Sequence, residues 1–173
     1  MIISGTIHKF GDHIDTDVIL PGRYLTLRRP EELAPHCLEG IDPTFASRVR
    51  PGDIVVAGRN FGSGSSREHA PIALKAVGVA CIVAESFARI FFRNAINIGL
   101  PVIPCGPFAA AAMSGEPAEI DLTSGRLATA GQSFHAPPSP PYVRSIIAAG
   151  GLVPFVRGKL GNPDGANSVP ARS

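Results

Sequence analysis

The stretch Asp53-Ile54-Val55-Val56-Ala57-Gly58-Arg59-Asn60-Phe61-Gly62-Ser63-Gly64-Ser65-Ser66-Arg67-Glu68-His69 organises the rest of the chain. Ile54 to Ala57 has the length and β-branched content of a buried strand, and it breaks at Gly58. A loop of small residues, Gly62 to Ser66, then leads into Arg67-Glu68-His69-Ala70-Pro71. Ile72, Ala73, Lys75, Ala76 and Val77 continue as a helix to Gly78, with the helix start expected near Ser66. Glycines allow close approach of backbone to a ligand, and a helix start offers unpaired N–H groups. Two hydroxyls and a guanidinium beside them form a compact anion site. The same residues also fit a plainer role, with Ser65 and Ser66 as an N-cap and Arg67 as a surface ion-pair partner.

Outward from this stretch the pattern repeats. Val79 to Ala84 is a second apolar strand, and Ser86 is placed to cap a helix in which Phe87, Ile90, Phe91, Asn94 and Ala95 recur at helical spacing. Leu100 to Ile103 reads as a third strand. Strand, helix, strand, helix, strand implies parallel pairing through right-handed crossovers. Ligands bind such sheets at the strands' carboxyl ends, where the serine-rich loop stands. Upstream, Ile2 to His8 alternates as a first strand and leads into the acidic loop Gly11-Asp12-His13-Ile14-Asp15-Thr16-Asp17. That loop lacks the glycine and glutamate spacing of a calcium loop, so its aspartates are turn formers and caps, or one of them faces the same pocket as Ser65. Pro30 starts a short helix over Glu31-Glu32-Leu33, and Asp42-Pro43 starts another through Phe45 and Val49. Downstream, Ile120 to Ala128 forms a hairpin, Pro137 to Pro141 a stiff connector, and Tyr142 to Ala149 a helix closed by Gly150-Gly151. Residues 1–160 make one domain, and residues 161–173, rich in Gly, Pro, Asn and Ala, a disordered tail.

Composition narrows the function classes. The chain has 173 residues, 16 Lys and Arg against 14 Asp and Glu, and 45% hydrophobic residues. A net charge of +2 without a basic run argues against nucleic acid. No apolar segment approaches the roughly 20 residues that span a bilayer, and the N-terminus has no signal-peptide pattern, so a cytoplasmic protein with no membrane partner is expected. Cys37, Cys81 and Cys105 have no paired metal-ligand spacing and read as buried thiols. No metal site and no iron–sulfur cluster is expected on this chain. A dinucleotide fingerprint fails because Arg67 stands where its third glycine belongs, a Walker loop lacks its Gly-Lys-Ser/Thr, and the hydrolase elbow G-x-S-x-G is broken. His69 follows Ser65 by four residues, which leaves a Ser–His pair open. His8, His13, His36 and His135 read as structural or surface residues.

Gly62-Ser63-Gly64-Ser65-Ser66-Arg67-Glu68-His69-Ala70 resembles the signature of the swivelling domain of the aconitase superfamily. Asp15-Thr16-Asp17 with Val18-Ile19-Leu20-Pro21 and Tyr24-Leu25 resembles the second signature of its small-subunit branch. The chain is therefore similar to the family of 3-isopropylmalate dehydratase small subunits, from about Ile3 to Ile103 and more weakly to Gly151-Leu152. The resemblance implies an α/β fold, a three-layer β/β/α swivelling domain with a parallel βαβαβ core and additional antiparallel strands. It implies a subunit that is active only with a large subunit carrying a [4Fe-4S] cluster on its own cysteines. The substrate would be a hydroxy-dicarboxylate, isomerised by dehydration and rehydration in leucine biosynthesis.

By the same resemblance, Ser65 is the base that removes a proton α to a carboxylate, and Arg67 binds a substrate carboxylate. Ser66 and the loop amides, Gly64 among them, assist, and Asp17 lines the pocket. Specificity belongs to the loop after Tyr24-Leu25. Homoaconitase-like members carry an Arg next, whereas Thr26 and Leu27 follow here, which suits a branched apolar side arm met by Leu25, Thr26 and Leu27. Arg28 and Arg29 lie close by. Ser63 is often Cys in relatives. Alternatives are a related hydro-lyase subunit acting on homocitrate-type, citraconate or dimethylmalate substrates, a stand-alone anion-binding module, and, more distantly, a serine hydrolase.

Overall fold

Ile54 to Ala57 is a strand buried at every residue, and the elements around it follow from covering both of its faces. The computed structural model describes residues 1–161. Strand β1 (Ile2–Lys9) leads through short helical segments α1 (Thr16–Ile19), α2 (Pro30–Leu33) and α3 (Phe45–Arg48), with 3-10 turns at Gly22–Tyr24 and Ala34–His36. The alternating run is β2 (Ile54–Ala57), α4 (His69–Ala76), β3 (Cys81–Ala84), α5 (Arg89–Asn97) and β4 (Val102–Pro104). Then come α6 (Gly106–Ala111), β5 (Pro117–Asp121), β6 (Arg126–Thr129), β7 (Gln132–His135), α7 (Pro141–Ala148) and α8 (Leu152–Leu160).

All strands join one sheet in the order β4-β3-β2-β1-β5-β6-β7. The pairs from β4 to β1 are parallel, as expected from the alternation, and those from β1 to β7 are antiparallel. Strand β1 thus serves both halves. Successive side chains on a strand face opposite ways, so each parallel strand feeds two cores. Val55, Ala57, Ile82, Ala84 and Val102 pack with the helical side, including Leu33, Phe45, Leu74 and Phe91. Ile54, Val56, Cys81, Val83 and Ile103 pack instead with Ala118, Ile120 and Leu127 of the antiparallel half, and with Phe108. Helices, parallel sheet and folded-over antiparallel sheet are the three expected layers. Each fully buried aliphatic or aromatic side chain here contributes about 1.5–3 kcal/mol relative to exposure.

Several local expectations need correction. Ser86 does not cap α5: its hydroxyl accepts from the Asn60 amide at 2.9 Å and its carbonyl from the Phe61 amide at 3.0 Å, so the helix starts later, behind Ala88. Asp42 forms a turn with Thr44 instead of opening a helix, and α3 begins at Phe45. Helices α6 and α8 and strand β7 had no clear period in sequence. Gly161 is the C-cap of α8, and the rest of the expected tail, residues 162–173, lies outside the described residues.

Two polar devices tie distant segments. Lys75 donates to the carbonyls of Ile98, at 2.5 Å, and Gly150, at 3.0 Å, and so joins the ends of α4, α5 and α7. Where β1 and β2 pair, His8 donates from Nε2 to Asp53 Oδ2 at 2.8 Å, with both residues 6% exposed. Asp53 also accepts from the amides of Thr6 at 3.0 Å and Arg50 at 2.9 Å. Burial pushes the Asp53 carboxyl upward, but these three hydrogen bonds outweigh it and hold the group below its usual range.

A carboxylate with a lowered folded-state pKa stabilises the fold above its unfolded value and loses that contribution as pH falls through the folded one. Asp53→Asn turns an amide donor toward at least one existing donor, and is expected to cost about 2–4 kcal/mol at neutral pH. It also flattens the loss of stability below about pH 4. Urea denaturation of both proteins across pH checks both outcomes.

Candidate active site

The loops that follow β1 and β2 leave the carboxyl ends of two adjacent parallel strands, and the backbone stitches them together. The Gly62 amide donates to the Ile14 carbonyl at 2.7 Å, and the Thr16 amide to the Ser63 carbonyl at 2.8 Å. Asp15 and Ser63 form a one-residue parallel bridge. The buried Thr16 hydroxyl donates to the Ser65 carbonyl at 3.2 Å. Asp15 caps α1 by accepting from the Val18 amide at 2.8 Å. The acidic loop therefore divides its aspartates among three tasks. Asp12 pairs with Arg59 at 2.8 Å, Asp15 caps, and Asp17 meets Arg67, whose Nη1 donates to Asp17 Oδ1 at 2.5 Å.

Gly62 is required by its surroundings. Its φ is +77°, and a Cβ there would stand 2.1 Å from Phe91 Cγ. Gly64, at φ +92°, lies over Thr16. Helix α4 begins at His69, three residues later than the sequence suggested, because Ser65 to Glu68 form a turn closed by the Arg67 amide on the Ser65 carbonyl at 2.8 Å. No side chain caps this helix, so the N-cap role considered for Ser65 and Ser66 is not realised. Gly64, Ser65 and Ser66 are all exposed. Among the described residues their three amides have no acceptor and the two serine hydroxyls have no partner. Consecutive free N–H groups with a neighbouring guanidinium suit an anion. His69 is half-buried and makes no hydrogen bond with Ser65 among the described residues.

Arg67 is 22% and Asp17 60% exposed at the side chain, so the pair lies at the rim of an open surface. A Cβ on Gly22 would stand 3.6 Å from both Arg67 Nη1 and Asp17 Oδ1, which puts the start of the turn through Tyr24 beside the ion pair. Sequence reasoning missed Gly22, which carries no local signal. It also missed the linking role of Thr16, although that residue sits inside the first motif. Of the three residues expected to meet a side arm, Thr26 is exposed, Leu25 is half-buried, and Leu27 packs partly against the helical-side core. Arg29 pairs with Glu32 at 2.8 Å, while Arg28 has no carboxylate partner among the described residues. The three cysteines are buried and unpaired, with Cys37 on one side of the parallel sheet and Cys81 and Cys105 on the other. They do not fit a cluster. Burial pushes the thiols of Cys37 and Cys81 up. Among the described residues no three His, Cys, Asp or Glu side chains group closely enough to hold a metal ion. No helix among them is long and apolar enough to cross a membrane.

Comparison with known proteins gives this geometry its family. The model of the aconitase C-terminal domain matches residues 31–104. The 3-isopropylmalate dehydratase small subunit of Caldicellulosiruptor bescii is 54% identical over 162 residues, covering 92% of this chain and 98% of that protein. The chain belongs to the family of 3-isopropylmalate dehydratase small subunits. The similarity covers 92% of the chain and so extends well past Ile103. A crystal structure of 3-isopropylmalate dehydratase from Methanocaldococcus jannaschii superposes with a TM-score of 0.89 at 44% identity, covering 96% of this chain and all of that one. The family also has neighbours with other substrates in their names: the 2,3-dimethylmalate dehydratase small subunit of Eubacterium barkeri is 52% identical over 158 residues, 90% of this chain and 97% of that protein.

Gly62→Ala forces a strained φ and a clash with Phe91, and is expected to destabilise the fold by roughly 2–5 kcal/mol. Ser63→Cys, which leaves the backbone splice intact, is expected to be near neutral. Thermal and urea unfolding of the two variants side by side checks this contrast.

Proposed function

We propose that this chain is the small subunit of an isopropylmalate isomerase, converting 2-isopropylmalate to 3-isopropylmalate by dehydration and rehydration when assembled with a large subunit. The observation that carries the reading is the open convergence of Ser65, the free amides of Gly64 to Ser66, and Arg67 braced by Asp17. The chain also spans nearly the whole length of its small-subunit relatives. On this reading residues 1–160 act as one swivelling domain that closes over its partner in the cytoplasm.

The chemistry follows from the groups. A C–H beside a carboxylate is a weak acid and a serine hydroxyl a weak base, so the site must favour an alkoxide and a developing aci-carboxylate together. Ser65 Oγ, as the alkoxide, takes the proton from the carbon α to one carboxylate. Arg67 holds a carboxylate by charge-assisted hydrogen bonds, and the loop amides face the oxygens on which negative charge grows. Isomerisation then places a proton on the carbon that bore the hydroxyl and a hydroxyl on the carbon that lost the proton. Departure of the hydroxyl calls for a Lewis acid. This chain's residues do not fit one, and the reading assigns it to a [4Fe-4S] cluster held by the large subunit. The exposure of Ser65 and Ser66 supports such a division, because a surface this open must be covered before water is excluded.

Substrate choice falls to the turn after Tyr24. Two relatives of nearly equal identity carry different substrates in their names, so overall similarity does not separate them. A dimethylmalate hydro-lyase subunit is the second reading, favoured by the Eubacterium barkeri relative. Thr26 and Leu25 present a small, apolar-tolerant surface in either case.

Ser65→Ala is expected to lower turnover of the assembled enzyme by roughly 10²–10⁴ while leaving co-purification with the large subunit unchanged. Residual activity above a tenth would remove Ser65 from the base role. Thr26→Arg is expected to shift the kcat/KM ratio toward homocitrate by about tenfold or more. Anaerobic assay of the chain alone and mixed with a cluster-bearing large subunit, on 2-isopropylmalate, 2,3-dimethylmalate and citramalate, tests the whole reading. Turnover only in the mixture and fastest on 2-isopropylmalate is the expected result.

A further inference from the structure

The specificity turn is anchored by side chains that lie outside both motifs. Tyr24 stacks flat on His36, with ring centroids 3.7 Å apart and planes 11° from parallel. His36 Nδ1 and Glu39 Oε2 are 3.0 Å apart, an N–H donating to a carboxylate. Glu39 also pairs with Arg23, whose guanidinium lies 4.7 Å from the centre of the Tyr24 ring. Tyr24 therefore contacts both an imidazole and a guanidinium, and a single carboxylate, Glu39, pairs with both.

The backbone makes Tyr24 the pivot of the turn. Its amide donates to the Pro21 carbonyl at 3.0 Å, and its carbonyl accepts from the Leu27 amide at 3.0 Å. Leu25, Thr26 and Leu27 thus hang from Tyr24 on one side, while Gly22, two residues before it, abuts Arg67 and Asp17 on the other. The stack on His36 restrains the Tyr24 side chain, and the Pro21 and Leu27 bonds restrain its backbone, so a shift of Tyr24 as a whole would carry the three residues with it.

We propose that His36 and Glu39 are specificity-determining positioning residues, which set through Tyr24 where Leu25, Thr26 and Leu27 stand over the substrate's side arm. The inference rests on the reading that this turn meets the side arm. Neither residue touches substrate. They act on selectivity more than on the proton transfer, since Ser65 and Arg67 are held by the separate splice to Thr16 and by Asp17.

The test uses the assembled two-subunit enzyme and two substrates that differ in side-arm size, 2-isopropylmalate and citramalate. His36→Ala removes both the stack and the bond to Glu39, and it is expected to lower kcat/KM for 2-isopropylmalate by about tenfold and for citramalate by less than about twofold. His36→Phe keeps a ring on Tyr24 and should restore the ratio to within about twofold of the original. Leu25→Ala is measured in parallel. A ratio that moves with Leu25→Ala but not with His36→Ala overturns this inference and leaves the turn's role standing. A ratio unmoved by either overturns both. Equal loss on the two substrates, unrepaired by His36→Phe, marks His36 as merely structural and overturns the inference as well.

Discussion

Two backbone hydrogen bonds and one threonine hydroxyl hold the candidate site together. The bonds from Gly62 to Ile14 and from Thr16 to Ser63 splice loops that are far apart in sequence, and Thr16 Oγ1 fixes the carbonyl of the candidate base itself. Every other feature of the site depends on that splice. It aims the free amides of Gly64 to Ser66 outward, and it places α1 so that Asp17 meets Arg67. Both loops leave neighbouring parallel strands, and the splice is set up by left-handed residues in each, His13 in one and Asn60, Gly62 and Gly64 in the other. The sheet carries the geometry and the loops supply the chemistry.

Much of this was legible in the sequence, for identifiable reasons. Strands β2, β3 and β4 and helices α4 and α5 announce themselves because buried parallel strands are continuous apolar runs and amphipathic helices repeat at 3.6 residues. The layer arrangement follows once β2 must bury Val55 and Ile54 on opposite faces. The site motifs were legible as strings, and the structure pairs Asp17 of one with Arg67 of the other. The exact start of α4 was not, because Ser and Arg fit a cap and a loop equally well by composition. The choice was made by Arg67 and Ser65 closing their own turn.

What stayed hidden was long-range. Gly22 beside Arg67, Lys75 reaching two helix ends, and the His8–Asp53 pair all join residues whose proximity no local pattern encodes. The short strand β7 was missed for a different reason. It lies at the sheet's edge with its residues largely exposed, so selection for an apolar alternation is weak there. His36, read as a structural or surface residue, stacks on Tyr24, a contact no local pattern encodes.

The double duty of β1 has a consequence for how the chain reaches this fold. Its parallel edge pairs with β2, but its antiparallel edge waits for β5, which begins only at Pro117. A chain emerging from its N-terminus can therefore assemble the helical core and the βαβαβ unit first. During that interval the other face of the parallel strands, Ile54, Val56, Cys81 and Val83, is covered only in part, by Phe108 and its neighbours in and after α6. An open β1 edge above a partly covered apolar face is a template for association between nascent chains. Prompt arrival of β5 and β6 is what closes it, so the vulnerable stage in the life of this subunit falls before the finished domain can meet any partner.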